Sequence, residues 1–211
     1  MKDLHFSELL GRKLLVVGDV GSGKTALTAR LLKEAIVSVG LNNVTAIDMA
    51  PERREFKGIT IGGRLIDSLN GMKDMRILVP AERLYAPRVE GHTADDVANL
   101  SKQNAESIEK LLEQYSVKPT WVLFINDVSM YLQAGRIKTL MKTLALAETL
   151  VVNCYEGVAL QEDRNSGVSQ RERVGLATLK GAMDCVLTLG TTVSLAPQKE
   201  SKKRPGSEHH I

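Results

Sequence analysis

The sequence predicts an α/β fold, a doubly wound and mainly parallel sheet with helices on both faces. Two observations carry that expectation. Six short, nearly continuous apolar runs have strand length and lack polar alternation, as strands do when both faces of a parallel sheet are covered. Longer segments with helical periodicity alternate with them, which is the order of β/α crossover units.

The first run, 13–18 (KLLVVG), passes through a glycine-rich turn into a helix over 24–39. That helix places Leu27, Leu31, Leu32, Ile36 and Val39 on one stripe and stops at Gly40. Runs at 43–48 (NVTAID) and 75–79 (MRILV) follow. Between and after them, 50–92 is the least regular part, rich in glycine, and reads as an insertion. A second helix is expected over 94–115, opened by Thr93 with Asp96 three positions on, a capping-box variant. Its apolar side is Val97, Leu100, Ile108, Leu111 and Leu112. The run 120–126 (TWVLFIN) precedes a third helix, 134–147, built on Ile137, Leu140, Met141 and Leu144. Runs at 149–154 and 184–189 flank a weaker helix over 171–182. Ligands of such a sheet sit at the carboxyl ends of its strands.

The chain has 211 residues, 43% hydrophobic and 25% charged, enough to bury a full core and too apolar for general disorder. Cys154 and Cys185 lie in apolar runs and read as buried, reduced thiols of a cytoplasmic protein. No apolar stretch approaches the ~18 residues that span a bilayer, and the N-terminal residues lack the pattern of an export signal. The formal charge is +3, but the segment from Pro197 onward carries four basic residues against two acidic ones. The rest is nearly neutral, so charge gives no support to a nucleic-acid-coating role.

The strongest motif is Gly18-Asp19-Val20-Gly21-Ser22-Gly23-Lys24-Thr25, which fits G-x-x-x-x-G-K-[ST] between a strand and a helix. Its glycines let successive backbone N–H groups face a phosphate, and the helix beginning at Lys24 adds its positive end. Residues 18–26, including Ala26, are therefore the expected nucleotide-binding loop.

On these residues the chain resembles the P-loop NTPase superfamily, and its order of segments is most like that of RecA-like ATPases. The resemblance implies ATP and Mg²⁺ as cofactors, with Lys24 on the β- and γ-phosphates and the Thr25 hydroxyl on the metal. It also implies one nucleotide-binding domain over 1–190; the remaining 191–211 reads, from its composition, as a flexible tail. RecA-like proteins end a later strand with an acid for the metal and then an acid for water. Here Asn126 and Asp127 occupy those places. Two assignments follow: Asp127 serves the metal, or Asp127 is the base and Asp48 helps the metal. Asp48 ends the run 43–48 and is similar to a strand-end aspartate of the signal-recognition and MinD-type branch; a turn-forming role before Pro51 is the alternative. Glu52 is a further candidate for activating water.

Asn153, at the end of a later strand, matches the γ-phosphate-sensing position of RecA-like ATPases. The run Asn153-Cys154-Tyr155-Glu156 also imitates, without its lysine, the guanine-reading motif of GTPases. Arg88, Arg164, Arg171 and Arg173 are candidate cations for transferred phosphate, and His92 reads as packing near a helix cap. An ATPase that moves a loop or a partner is the leading function. The alternatives are a γ-phosphoryl kinase acting on a small molecule or nucleic-acid end, a non-hydrolysing nucleotide-dependent binding module, and a GTPase. A homo-oligomer or a protein partner is compatible with each.

Overall fold

The computed structural model describes residues 4–69 and 74–190. The expected tail over 191–211 lies outside the described residues. At the centre is a six-stranded sheet built from β1 (Lys13–Gly18), β2 (Val44–Asp48), β5 (Ile77–Leu78), β6 (Val122–Asn126), β7 (Thr149–Tyr155) and β8 (Cys185–Leu189). The spatial order is β5-β2-β6-β7-β1-β8 and every pairing is parallel. β3 (Arg54–Phe56) and β4 (Ile59–Ile61) form a separate antiparallel hairpin.

Alternation along the central strands divides the core into two layers, because successive side chains leave opposite faces of a sheet. Leu14, Val16, Ala46, Phe124 and Val151 pack with Leu31, Leu32 and Ala35 of α1 (Lys24–Val39) and with Phe6 and Leu9 of a short N-terminal 3₁₀ turn. Leu15, Val17, Ile47, Leu123, Ile125, Leu150 and Val152 face the opposite way. They meet α3 (Ala94–Val117), α4 (Ser129–Leu132), α5 (Ile137–Leu144) and α6 (Val168–Lys180). The doubly wound α/β class is therefore the observed architecture.

All six expected strands are present, with informative differences at the edges. β5 shrinks to two residues because it touches the sheet only along β2. In β8 every second residue is exposed, Val186 among them, since it closes the other edge. Cys185 is consequently only half-buried, whereas Cys154 is fully buried as expected; both are free thiols. The expected helix over 134–147 is two pieces. Gly135 lies against the Tyr131 ring and the chain turns there before α5 begins at Ile137. The last helix starts three residues earlier than expected, where the Ser169 N–H bonds to the Asp163 carboxylate at 3.0 Å. The capping box of α3 forms: Asp96 N–H donates to Thr93 Oγ1 at 3.1 Å and Thr93 N–H to Asp96 Oδ2 at 3.0 Å.

Within 50–92, the hairpin turns through Lys57 (φ 49°) and Gly58 (φ 77°), both left-handed, which suits a two-residue connection. A single helical turn, α2 (Pro87–Glu90), follows. Arg54 of the hairpin pairs with Glu90 of α2 at 2.8 Å. Among the described residues, no helix is long and apolar enough to cross a membrane.

Candidate functional site

Strand register brings the polar strand ends together. Asp48 lies beside Asn126, and pairing of Ile125 with Val152 sets Asn153 next in line. Val16 pairs with Asn153, so the loop leaving β1 emerges over the same edge. Asn153 borders a cleft of about 440 Å³, and Asn126 and Asp48 lie buried beside it without lining it.

In the loop, Gly21 (φ 72°) and Gly23 (φ 90°) adopt left-handed backbone that a side chain would strain. The N–H groups of Gly21, Gly23, Lys24, Thr25 and Ala26 donate to no protein acceptor among the described residues. Gly23 also gives α1 no side-chain cap. A run of free donors at a helix start is the chemistry that receives phosphate oxygens. Lys24 folds across this loop, its Nζ donating to the carbonyls of Gly18 at 2.9 Å and Asp19 at 2.7 Å. Burial pushes the Lys24 ammonium below its ordinary value, while the nearby Asp127, Cys154 and Asp19 oppose that shift.

Val20 through Ala26 line the cleft, but Gly18 and Asp19 do not. Asp19 turns away, its carboxylate accepting from the N–H groups of Val158 at 2.9 Å and Ala159 at 3.4 Å. Gly157 makes room for it, since a Cβ there would collide with the Asp19 carboxyl group.

The Thr25 hydroxyl donates to Asn126 Oδ1 at 3.3 Å. Asn126 Nδ2 donates to Asp48 Oδ1 at 2.8 Å and to the Gly63 carbonyl at 3.3 Å. An ionised Asp48 can only accept, so the Asn126 amide has one satisfactory orientation. Asp48 is buried behind Asn126 and does not line the cleft. Its carboxylate also accepts from the N–H groups of Leu65 at 2.6 Å, Ile66 at 3.3 Å and Ala50 at 3.4 Å. Burial raises the Asp48 carboxyl above its ordinary range, and these donors pull the other way.

Asn153 fastens the neighbouring turn. Its Oδ1 accepts from Asp127 N–H at 2.8 Å, and its Nδ2 donates to Thr28 Oγ1 at 2.9 Å and Asn126 Oδ1 at 2.8 Å. The Asn153 carbonyl accepts the Val128 N–H at 3.0 Å. This double grip holds Asp127 at φ 57°, a left-handed conformation unusual for a residue with a side chain. Asp127 lines the cleft, and Ser129 Oγ donates to its carboxylate. Burial raises the Asp127 carboxyl, against Ser129, Lys24 and Arg88, which lower it.

Of the candidate cations, only Arg88 borders this cleft; Arg164, Arg171 and Arg173 do not. Arg53, which sequence reasoning passed over, also borders it and has no ion-pair partner among the described residues. Glu52 is exposed and pairs with Arg64 at 3.3 Å. His92 is exposed, its N–H bonded to Asp96 at 3.2 Å. In the segment with guanine-reading likeness, Asn153 is spent on the turn and Glu156 pairs with Lys180 at 2.6 Å. Asn126 was the least legible member of the site. Its position after an apolar run marks it, but amide chemistry alone does not disclose the buried acid behind it.

Arg88 is 8% exposed and pairs with Glu172, 5% exposed, at 2.5 Å. Gln133 Nε2 donates to the same carboxylate oxygen at 3.1 Å. Burial pushes the Glu172 carboxyl up to about 7 from its ordinary 4.5, although Arg88 and Gln133 lower it. A carboxyl raised on folding contributes stability that is full below 4.5 and is lost as pH rises through about 7. Urea denaturation is therefore expected to show wild type losing roughly 2–3 kcal/mol relative to Glu172→Gln between about pH 5 and about pH 8. A difference that does not change with pH would contradict the assignment.

No protein-family profile matches the chain, and no curated protein matches it. Among solved structures, it is similar to the flagellar accessory protein FlaH from Methanocaldococcus jannaschii, at 11% identity and a TM-score of 0.41, covering 78% of this chain and 68% of that one. It is similar to Pif1 helicase from Candida albicans, at 14% identity and 0.38, covering 88% and 37%. A third is an ATPase from the type III secretion system of pathogenic bacteria, at 10% identity and 0.44, covering 85% and 51%.

Proposed function

We propose that the chain is a magnesium-dependent ATPase whose nucleotide state is relayed to the hairpin and α2. The observation that carries this reading is the loop 18–26, with free N–H donors and Lys24 poised at the cleft. The donors and Lys24 suit a triphosphate, and Thr25 with Asn126 suits its metal. In this reading Thr25 would hold magnesium, with Asn126 Oδ1 next to its hydroxyl and the Asp48 carboxylate fixing the Asn126 amide. Bound magnesium supplies charge neutralisation on the β- and γ-phosphate oxygens.

That arrangement leaves Asp127 as the base, the second of the two assignments open from sequence. Burial raises the Asp127 carboxyl, which makes its carboxylate a stronger proton acceptor than an exposed one. Water attacks the γ-phosphorus, its proton passes to Asp127, the bond to the bridging oxygen breaks, and ADP leaves. Asn153 is a positioning residue here, since its amide atoms orient Asn126 and Asp127. The hairpin is the natural recipient of the signal, because Gly63 and Leu65, in the segment that leaves its second strand, bond to Asn126 and Asp48.

A kinase is the second reading. It is favoured by a neighbouring cavity of about 320 Å³ that shares Arg88, Tyr155 and Leu160 with the cleft and offers room for an acceptor. Phosphate release from ATP separates the two. Release with magnesium alone, stopped by chelator, is the expected result. Release that requires an added acceptor, with a phosphorylated product, establishes the kinase instead. No release under either condition leaves the binding-module reading.

A further inference from the structure

Arg88 stands where the two cavities meet, lining both. It comes from the irregular 50–92 segment, on α2, and every group facing it belongs to another element. Glu172 is on α6, Tyr155 ends β7 with its ring 5.8 Å from the guanidinium carbon, and Asp127 follows β6 close enough to feel its charge. Only Nη2 has a protein acceptor among the described residues, and buried Nε has none. A guanidinium carries five donors in a planar fork suited to carboxylate or phosphate. Here one is used.

Resting on the ATPase reading above, we propose that Arg88 is a γ-phosphate-reading residue whose pairing with Glu172 competes with its pairing to a bound triphosphate. When a triphosphate fills the cleft, the guanidinium exchanges the Glu172 carboxylate for γ-phosphate oxygens. Three features support this role over a purely structural ion pair. The arginine borders the same cleft as Lys24 and Asp127. Its donors are under-used in place. Its partner keeps a second donor, Gln133, to satisfy it after the exchange. Release of Glu172 also loosens α6 from α2, so the pocket between Tyr155 and α6 reports whether the γ-phosphate is present. The diphosphate, lacking that group, leaves the Arg88–Glu172 pair intact.

The test compares equilibrium binding of ATP and ADP with magnesium, by calorimetry, for wild type, Glu172→Gln and the paired substitution Arg88→Gln with Glu172→Gln. The paired variant replaces two charges by two amides of similar size, and its thermal melting checks that it folds; Arg88→Lys is the fallback if it does not. Glu172→Gln is expected to tighten ATP roughly 10-fold while ADP affinity stays unchanged. The paired variant, or Arg88→Lys, is expected to lose most of the preference for ATP over ADP. A ratio of ATP to ADP affinity that is the same in wild type and every folded variant overturns the proposal. If wild type binds neither nucleotide, the ATPase reading itself fails, a distinct result.

Discussion

Lys24→Ala is expected to weaken ATP binding about 100-fold or more and to abolish turnover, with little change in thermal stability. The reason for the first effect is the loss of the charge-assisted donor aimed at the most charged part of the ligand; losing one such group in a desolvated site costs ~10²–10³ in rate or affinity. The reason for the second is a near-cancellation. Removing the ammonium deprives the Gly18 and Asp19 carbonyls of a donor. It also removes a cation that burial already disfavours. Gly18 keeps the Glu156 N–H at 3.0 Å, so its carbonyl is not orphaned. Calorimetric titration of ATP into both proteins checks the prediction, and equal affinities would refute the nucleotide site. Lys24→Arg should not rescue, because a bulkier planar fork cannot follow the tight path over the loop.

Asn126→Asp is expected to destabilise the protein by about 2–4 kcal/mol at neutral pH, although an acid here is what the RecA-like resemblance leads one to expect. In the fold, Asn126 Nδ2 donates to Asp48 at 2.8 Å. A second carboxylate there would bring two acceptors and two negative charges together in a buried space. One of the pair must then take up a proton, so the loss should shrink as pH falls toward ~4, where both carboxyls can protonate even when unfolded. The exchange Asp48→Asn with Asn126→Asp should recover more than half of the stability. An amide at position 48 can donate to a carboxylate at position 126, while the amide oxygen still accepts from the N–H groups of Leu65 and Ile66. Recovery stays incomplete because Gly63 loses its donor. Denaturant midpoints of the three variants decide it; an exchange variant no better than the single substitution would show that charge placement is not the cause.

The contrast between what was readable and what was not has a physical basis. The central strands were legible because β2, β6 and β7 are buried on both faces, which leaves no polar alternation to confuse them. The loop 18–26 was legible because its glycines and lysine are contiguous. The hairpin was not, because its strands are short, mostly exposed and mixed in polarity. α4 escaped because a single helical turn holds too few residues to display periodicity. The assignment at Asn126 turned on Asp48, 78 positions earlier, and only the parallel register of β2 with β6 joins them. A pattern along the chain cannot weigh a partner that the sheet alone supplies.

The carboxylate of Asp19, turned away from the cleft to hold the amides of Val158 and Ala159 over Gly157, has a consequence for how such a chain can diverge. Position 19 falls among the unspecified letters of the loop motif, so it looks free to drift. It is not free while position 157 offers only the space of a hydrogen atom. A side chain at 157 would push the Asp19 carboxylate off the Val158 and Ala159 amides, so the acid keeps its place only beside a glycine. The two sites, distant along the chain, share one piece of space, so a substitution at either is felt at the other.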